Sequence, residues 1–378
     1  MTQRELVESA LSHRAVQPAP YYLDFTPPVE AWLCDHFGID SHAPAAKDVL
    51  NRALGNAMLR MSVMPEPMPQ PDGTVRDAFG VVWAQTDVNR GAPIGHPLPE
   101  PSLRGYRFPE PIAEALLEKM ARRIEGNRDL YAAVFVGDLF ERACFLRGME
   151  PFLLDVVGEP AFARELLQRL MDYAIAAMEA VARLAVDCVF LSDDYGDQRG
   201  LLLSPATWRE LVAPQLARFC ARARELGLTP ALHSCGNIRA LLPELIGLGF
   251  AIIHPVQPEA MDVVEVKRTL GARFTIYGGL ETQRVLPGLR GLGPSRKSAL
   301  RRLEVPALRA AARQRRPRLP DGSPEEVRAL IARRLRELSP GGGFILGPAM
   351  KLQHDVPREN LLALIDACQN QDAVMRNQ

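Results

Sequence analysis

The sequence predicts an α/β fold: a single (β/α)8 TIM-type barrel over residues 1–378, with N-terminal additions and a basic insert near residues 289–320. Three observations predict it. Short, continuously apolar and often β-branched runs recur along the chain, as parallel strands buried on both faces require. Helical patterns separate these runs, and the alternation implies a parallel sheet. Polar residues end nearly every run, not only those at one switch point, and no G-x-G-x-x-G follows the first, so a closed barrel fits better than an open doubly wound sheet.

The runs, in order, are "YYLDFT" (21–26), "AAVFVGD" (132–138), "CVFLSDDYG" (188–196), "PALHSCG" (230–236), "AIIHPVQ" (251–257), "RFTIYGG" (273–279) and "GFILGP" (343–348). Each reads as a strand. A barrel needs an eighth, which these runs do not supply; "DAFGVVWAQTD" (77–87) reads instead as part of an added hairpin. Between the runs, residues 159–185 put Phe162, Leu166, Leu170, Tyr173 and Ile175 roughly on one helical face. Residues 204–227 read as one helix, with Ser204 as cap, Pro205 in the first turn and Gly227 at the exit. "IRALLPELIGLG" and "MDVVEVKRTLG" each end in glycine just before a strand run.

The 378 residues are 47% hydrophobic and 24% charged, enough for a large core. Formal net charge is zero, so nothing draws the whole molecule to nucleic acid or to an anionic membrane. The opening "MTQRELVESALSHR" has no apolar core of a signal peptide, and no apolar run approaches the ~20 residues that span a bilayer. Six cysteines at scattered spacings suggest reduced thiols in a cytoplasmic protein. Charge is uneven, however. Residues 289–320 hold ten basic side chains and one acid, Glu304, leaving 35 basic against 44 acidic residues elsewhere, a net of −9. A lid over an anionic substrate, a disordered segment and an artefact of the gene sequence all fit that composition.

In a barrel the active site lies at the C-terminal strand ends. There the sequence collects Asp24, Asp138, Asp193, Asp194, His233, Cys235, Gln257, Glu281 and Gln283. His233 and Cys235 stand out in "ALHSCGN": both are metal-ligand types, and residues i and i+2 of a strand point to the same side. Structural zinc takes four protein ligands and catalytic zinc three plus an open position. Spacing alone shows two, so it leaves a metal site and ordinary core both open. Asp193 and Asp194 are consecutive, so only one can face the mouth if the strand persists; Asp194 is the expected one.

"LSDDYGDQRGLLLSP", "ALHSCGN", "IHPVQPEAMD", "IYGGLETQRVLP" and "PGGGFILGPAMKLQHDVPRENLLAL" occur in this order. Together they resemble the uroporphyrinogen decarboxylase superfamily, in particular its methyltransferase-like branch, most clearly over residues 131–367 outside the basic insert. The resemblance implies a barrel with one deep cleft. The decarboxylases of this superfamily use no metal and grip a polycarboxylate tetrapyrrole with an arginine-rich N-terminal motif. Residues 21–38, "YYLDFTPPVEAWLCDHFG", contain no arginine, which argues against that substrate. The methyltransferase branch implies zinc held by the H-x-C pair and a later Cys or His, with a thiol exchanging a methyl group with a methyl-corrinoid. Here His233 and Cys235 match the pair, while Ala349 and Met350 stand where the later ligand is expected and His354 falls a turn beyond. Asp194 or Glu281 is then expected to complete the site as a ligand or general base. Asp24, Asp138, Asn237, Gln257 and Gln283 are candidate substrate contacts. A corrinoid protein is an expected partner and a homodimer a further expectation. Two alternatives stand beside this reading: a metal-free carboxy-lyase using Asp24 or Asp138, and a non-catalytic binding protein on the same barrel.

Overall fold

The computed structural model describes residues 1–85, 91–282 and 322–376. Gln283, the basic insert at 289–320 and the far end of the expected hairpin lie outside the described residues.

The chain begins with α1 (Gln3–Leu11), started by a capping box in which Thr2 and Glu5 exchange side-chain and backbone hydrogen bonds. Next come α2 (Pro27–His36), α3 (Ala46–Ala53) and the first strand, β1 (Met58–Ser62). Four short strands follow, β2 (Met68–Pro69), β3 (Val75–Arg76), β4 (Val82–Trp83) and β5 (Pro93–Gly95), which pair antiparallel in a small sheet of their own. The hairpin expected around residue 77 belongs to this sheet. Asp77 makes its turn, accepting from the amides of Phe79 and Val81 at 3.0 Å each.

After α4 (Glu114–Glu125) the chain alternates strand and helix. β6 (Tyr131–Gly137) leads to α5 (Phe140–Arg147), α6 (Met149–Gly158) and α7 (Pro160–Val181). β7 (Cys188–Ser192) leads to α8 (Pro205–Leu211) and α9 (Ala213–Glu225), and β8 (Thr229–His233) to α10 (Leu242–Leu248). β9 (Ile252–Val256) precedes α11 (Val263–Leu270), and β10 (Thr275–Leu280) precedes, in the described residues, α12 (Pro324–Leu338). β11 (Phe344–Pro348), α13 (Arg358–Gln369) and α14 (Gln371–Arg376) end the described chain. Ser204 caps its helix as expected, accepting from the Thr207 amide. The helix predicted over 204–227 is nevertheless two, because Pro214 lacks the amide that would carry the ladder past Val212.

β1 and β6 to β11 form one seven-stranded parallel sheet in which strands adjacent in space follow each other in order. The sheet curls, so its apolar side chains form two cores. One, between sheet and helices, is large. The other lines the inside of the curl: Tyr22, Met58, Tyr131, Ala133, Cys188, Phe190, Ala231, Ile252, Tyr277 and Ile345, with Val7 of α1 among them. This explains the continuously apolar runs: β9, β10 and β11 are buried along their whole length.

Two expectations need correction. The eight-stranded barrel is not reached as regular strands among the described residues, which contribute seven to the parallel sheet. Nor is "YYLDFT" one of them: residues 21–25 make only isolated parallel bridges, Tyr21 with Leu346 and Phe25 with Leu352. The segment does lie between the sheet's two edges. The Tyr22 amide donates to Leu346 O at 3.0 Å, and the Ala57 amide to Tyr21 O at 2.8 Å. Leu23, however, is bonded in both directions by the side chain of Asn56 rather than by a strand backbone. The strand in the sheet is β1, "MLRMS", whose methionines and central arginine carry little β-propensity.

Candidate functional site

β7 and β8 end side by side, with Ser192 paired to His233. The ladder runs one bond further, from the Asp193 amide to His233 O at 2.8 Å. Beyond it the two loops are sewn together. The Cys235 amide donates to Asp194 Oδ1 at 2.7 Å, the Tyr195 amide to Ser234 Oγ at 3.1 Å, and the Asn237 amide to Asp197 O at 2.7 Å. Gly236 makes this closeness possible. Its φ is +79°, and a Cβ there would sit 2.3 Å from the Gly196 carbonyl.

The result brings Asp194, His233 and Cys235 together, with one ligand atom from each within 4.8 Å of the others. His233 Nε2 lies 3.5 Å from Cys235 Sγ and 3.7 Å from Asp194 Oδ1. Consecutive aspartates part company, as alternation requires. Asp193 is fully buried and turns to the start of α5, accepting from the amides of Leu139, Phe140 and Glu141 at 3.3, 3.0 and 2.6 Å. Burial pushes its carboxyl up to about 7 against the pull of those amides.

Electrostatics at the trio favour a cation. Burial raises the Cys235 thiol well above its ordinary value, and the Asp194 carboxylate pushes it the same way. Burial holds the His233 imidazole below its ordinary value, against the upward pull of Asp194. Without a cation, these shifts favour a neutral imidazole and a protonated thiol beside Asp194. A divalent cation would reverse the thiol's balance. Nitrogen, sulfur and oxygen donors at these separations fit a three-ligand zinc site with an open position.

The other expected site residues are dispersed. Asp24 lies 3.4 Å from the Arg60 guanidinium. Both Asp138 carboxylate oxygens accept from Arg142, at 2.9 Å each. Gln257 is buried and receives the Gly236 amide at 3.4 Å, so it props the H-x-C loop. Asn237 Oδ1 takes the Arg239 amide in a local turn. Glu281 is gripped by Arg334 at 2.5 Å and Arg333 at 3.1 Å, both on α12. His354 and Met350 are exposed, and Ala349 is buried.

Two residues went unread in the sequence. His254 on β9 is buried, with Nδ1 2.7 Å from His233 Nδ1. Arg60 on β1 enters the inside of the curl, where its guanidinium lies 4.9 Å from the Tyr22 ring and 4.8 Å from the Phe135 ring. It donates to Tyr277 Oη at 3.2 Å, and its Nε has no hydrogen-bond partner among the described residues. Both were detectable in principle: each is a polar residue two positions after one facing the inside, Ile252 or Met58.

Residues 111–290 match the uroporphyrinogen decarboxylase (URO-D) family profile. Over these residues the chain is similar to the uroporphyrinogen decarboxylase superfamily. Its likeness within that superfamily is to the methyltransferase branch. A methylated-thiol–coenzyme M methyltransferase from Methanosarcina mazei is 22% identical over 258 residues, which are 68% of this chain and 58% of that protein. The match thus spans little more than half of the curated relative's length. A solved methyltransferase structure from Methanosarcina mazei superposes with a TM-score of 0.69 at 18% identity, covering 98% of this chain and 99% of that one. That second likeness bears on fold. No helix among the described residues is long and apolar enough to cross a membrane.

Proposed function

We propose that this chain is a zinc-dependent methyltransferase that moves a methyl group between a corrinoid carrier and a thiol. The observation that carries the reading is the convergence of Asp194, His233 and Cys235 at the ends of β7 and β8. The curated relative acts, by its name, on a methylated thiol and coenzyme M, and a thiol acceptor is what such a site suits. We read the sheet as a TIM-type barrel with residues 21–25 in the eighth position, which makes the trio part of a barrel mouth.

His233 would bind through Nε2, Cys235 through its sulfur after losing its proton, and Asp194 through its carboxylate. Zinc supplies Lewis acidity, which keeps a bound thiol in its reactive thiolate form at neutral pH. The remaining work falls to the chain. Gln257 and Gly236 hold the Cys235 loop against Gly196. Asp193 anchors the β7 end to α5, so that Asp194 points to its partners. Arg60 and Asp24 face the same interior and would meet the polar end of the substrate. A neutral His233 needs no deprotonation before binding. Six free thiols suit a reducing, cytoplasmic setting, with a small thiol and a corrinoid protein as partners.

Purified protein should carry close to one zinc per chain by elemental analysis, and the His233→Ala, Cys235→Ser double variant should carry almost none. Undiminished zinc in the double variant would sink the proposal.

A further inference from the structure

His254 stands between the trio and the last strand of the sheet. It is 3% exposed, and its ring centroid lies 4.2 Å from that of Tyr277 and 4.9 Å from that of His233. Its two nitrogens have different partners. Nε2 is 3.2 Å from the Pro348 carbonyl oxygen, and Nδ1 is 2.7 Å from Nδ1 of His233.

These contacts have a direction. A carbonyl oxygen only accepts, so Nε2 of His254 carries a proton. No carboxylate hydrogen-bonds to this ring among the described residues, and a charged imidazole sealed beside Tyr277 would be costly, so the ring is neutral. Its Nδ1 is then bare. Two ring nitrogens 2.7 Å apart share one proton, which must belong to Nδ1 of His233. A neutral His233 with its proton on Nδ1 has a bare Nε2. That is the nitrogen 3.5 Å from Cys235 Sγ and 3.7 Å from Asp194 Oδ1.

We infer that His254 is a positioning residue: it relays the one-way polarity of the Pro348 carbonyl and locks His233 in the tautomer that aims a lone pair at the trio. The inference rests on the zinc reading for its purpose, but the tautomer itself is a property of the metal-free chain. A ligand histidine ordinarily fixes its tautomer by donating to a carboxylate, carbonyl or water. Here a second imidazole is interposed, which moves the carbonyl one ring away.

The test has two readouts. Long-range proton–nitrogen NMR spectra of metal-free protein labelled with 15N-histidine should show His233 protonated at Nδ1 and bare at Nε2, with the signal assigned by its loss in His233→Ala. Zinc affinity, measured by competition with a chelator, should fall about 10–100-fold in His254→Leu, the usual cost of losing such a partner. His254→Gln should keep most of the affinity, because its carbonyl can accept from His233 while its amide donates to Pro348. A His233 protonated at Nε2 overturns the inference, as does zinc affinity in His254→Leu equal to wild type. If His254→Leu does not fold, the wild-type spectrum and the glutamine variant still decide. Wild-type protein without zinc sinks the metal reading, and the metal-free spectrum then judges the relay alone.

Discussion

Asp193 and Asp194 show how one peptide bond divides structure from chemistry. Asp194 reaches His233 and Cys235, whereas Asp193 collects three amides at the head of α5. Asp194→Asn should lose most of its zinc with little change in melting temperature. Asp193→Asn should keep its zinc but lose about 1–2 kcal/mol of stability, because both carboxylate oxygens accept from helix amides and an amide nitrogen in place of one of them cannot. Zinc analysis and thermal melts on both variants check this, and the reverse pattern would exchange the two roles. The buried histidines add a pH signature to metal-free protein. Burial lowers both His233 and His254 from the ordinary value of 6.5. Below pH 6.5 the unfolded chain takes up protons that the folded chain refuses, so stability falls with acid and returns as pH rises. His254→Gln, which cannot titrate there, should show a shallower loss between pH 7 and 5 in denaturant titrations; an equal slope would mean that His254 does not contribute. His233 and Cys235 were legible because ligand-type residues two apart at a strand end are rare among apolar neighbours. His254 was detectable as an inward-facing residue two positions after Ile252, but its role was not legible, since nothing local says that its strand lies against that of His233.

Among the elements, the loop after β8 depends most on a single residue. Gly236 and Gly227 both have positive φ, +79° and +74°, but their surroundings differ: a Cβ at 236 meets the Gly196 backbone at 2.3 Å, while 227 has nothing within 4 Å. Gly227→Ala should cost about 1 kcal/mol, the strain of an alanine in the left-handed region. Gly236→Ala should cost a further ~1–3 kcal/mol and weaken zinc binding, because the strand-end loops must separate. Equal melting temperatures for the two variants would show that the loop absorbs the methyl group. Strand prediction succeeded where burial on two faces made a run uniformly apolar, as in β9 to β11. It failed at residues 21–26, where the apolar pattern is strong but Asn56 supplies the hydrogen bonds from its side chain. It failed again at β1, whose Arg60 interrupts the apolar run because it points to the inside of the curl. Hydrophobic pattern reports burial; it does not report which backbone partner will be present.

At the scale of the whole molecule, a buried arginine ties the parallel sheet to the small antiparallel sheet. Arg142 of α5 is 1% exposed, bonds Asp138 at the end of β6 and donates to Asp77 at 2.7 Å. Asp77 also accepts from Trp83 Nε1 at 3.1 Å and holds the turn between β3 and β4. The guanidinium lies 4.5 Å from the Phe79 ring, so its face is covered by the sheet that its edge secures. Truncating it would leave two carboxylates buried without their counter-charge, which is far more costly than the pairing was favourable. Arg142→Leu should therefore lose about 3–5 kcal/mol in denaturant titrations. The loss should appear first at the small sheet, where Trp83 is buried 4.8 Å from the Phe145 ring. The near-ultraviolet signal of Trp83 should fade at lower denaturant than the far-ultraviolet signal of the parallel sheet. Coincident transitions would mean that the two sheets unfold as one unit. Undiminished stability would mean that the arginine is not needed to hold the two sheets together.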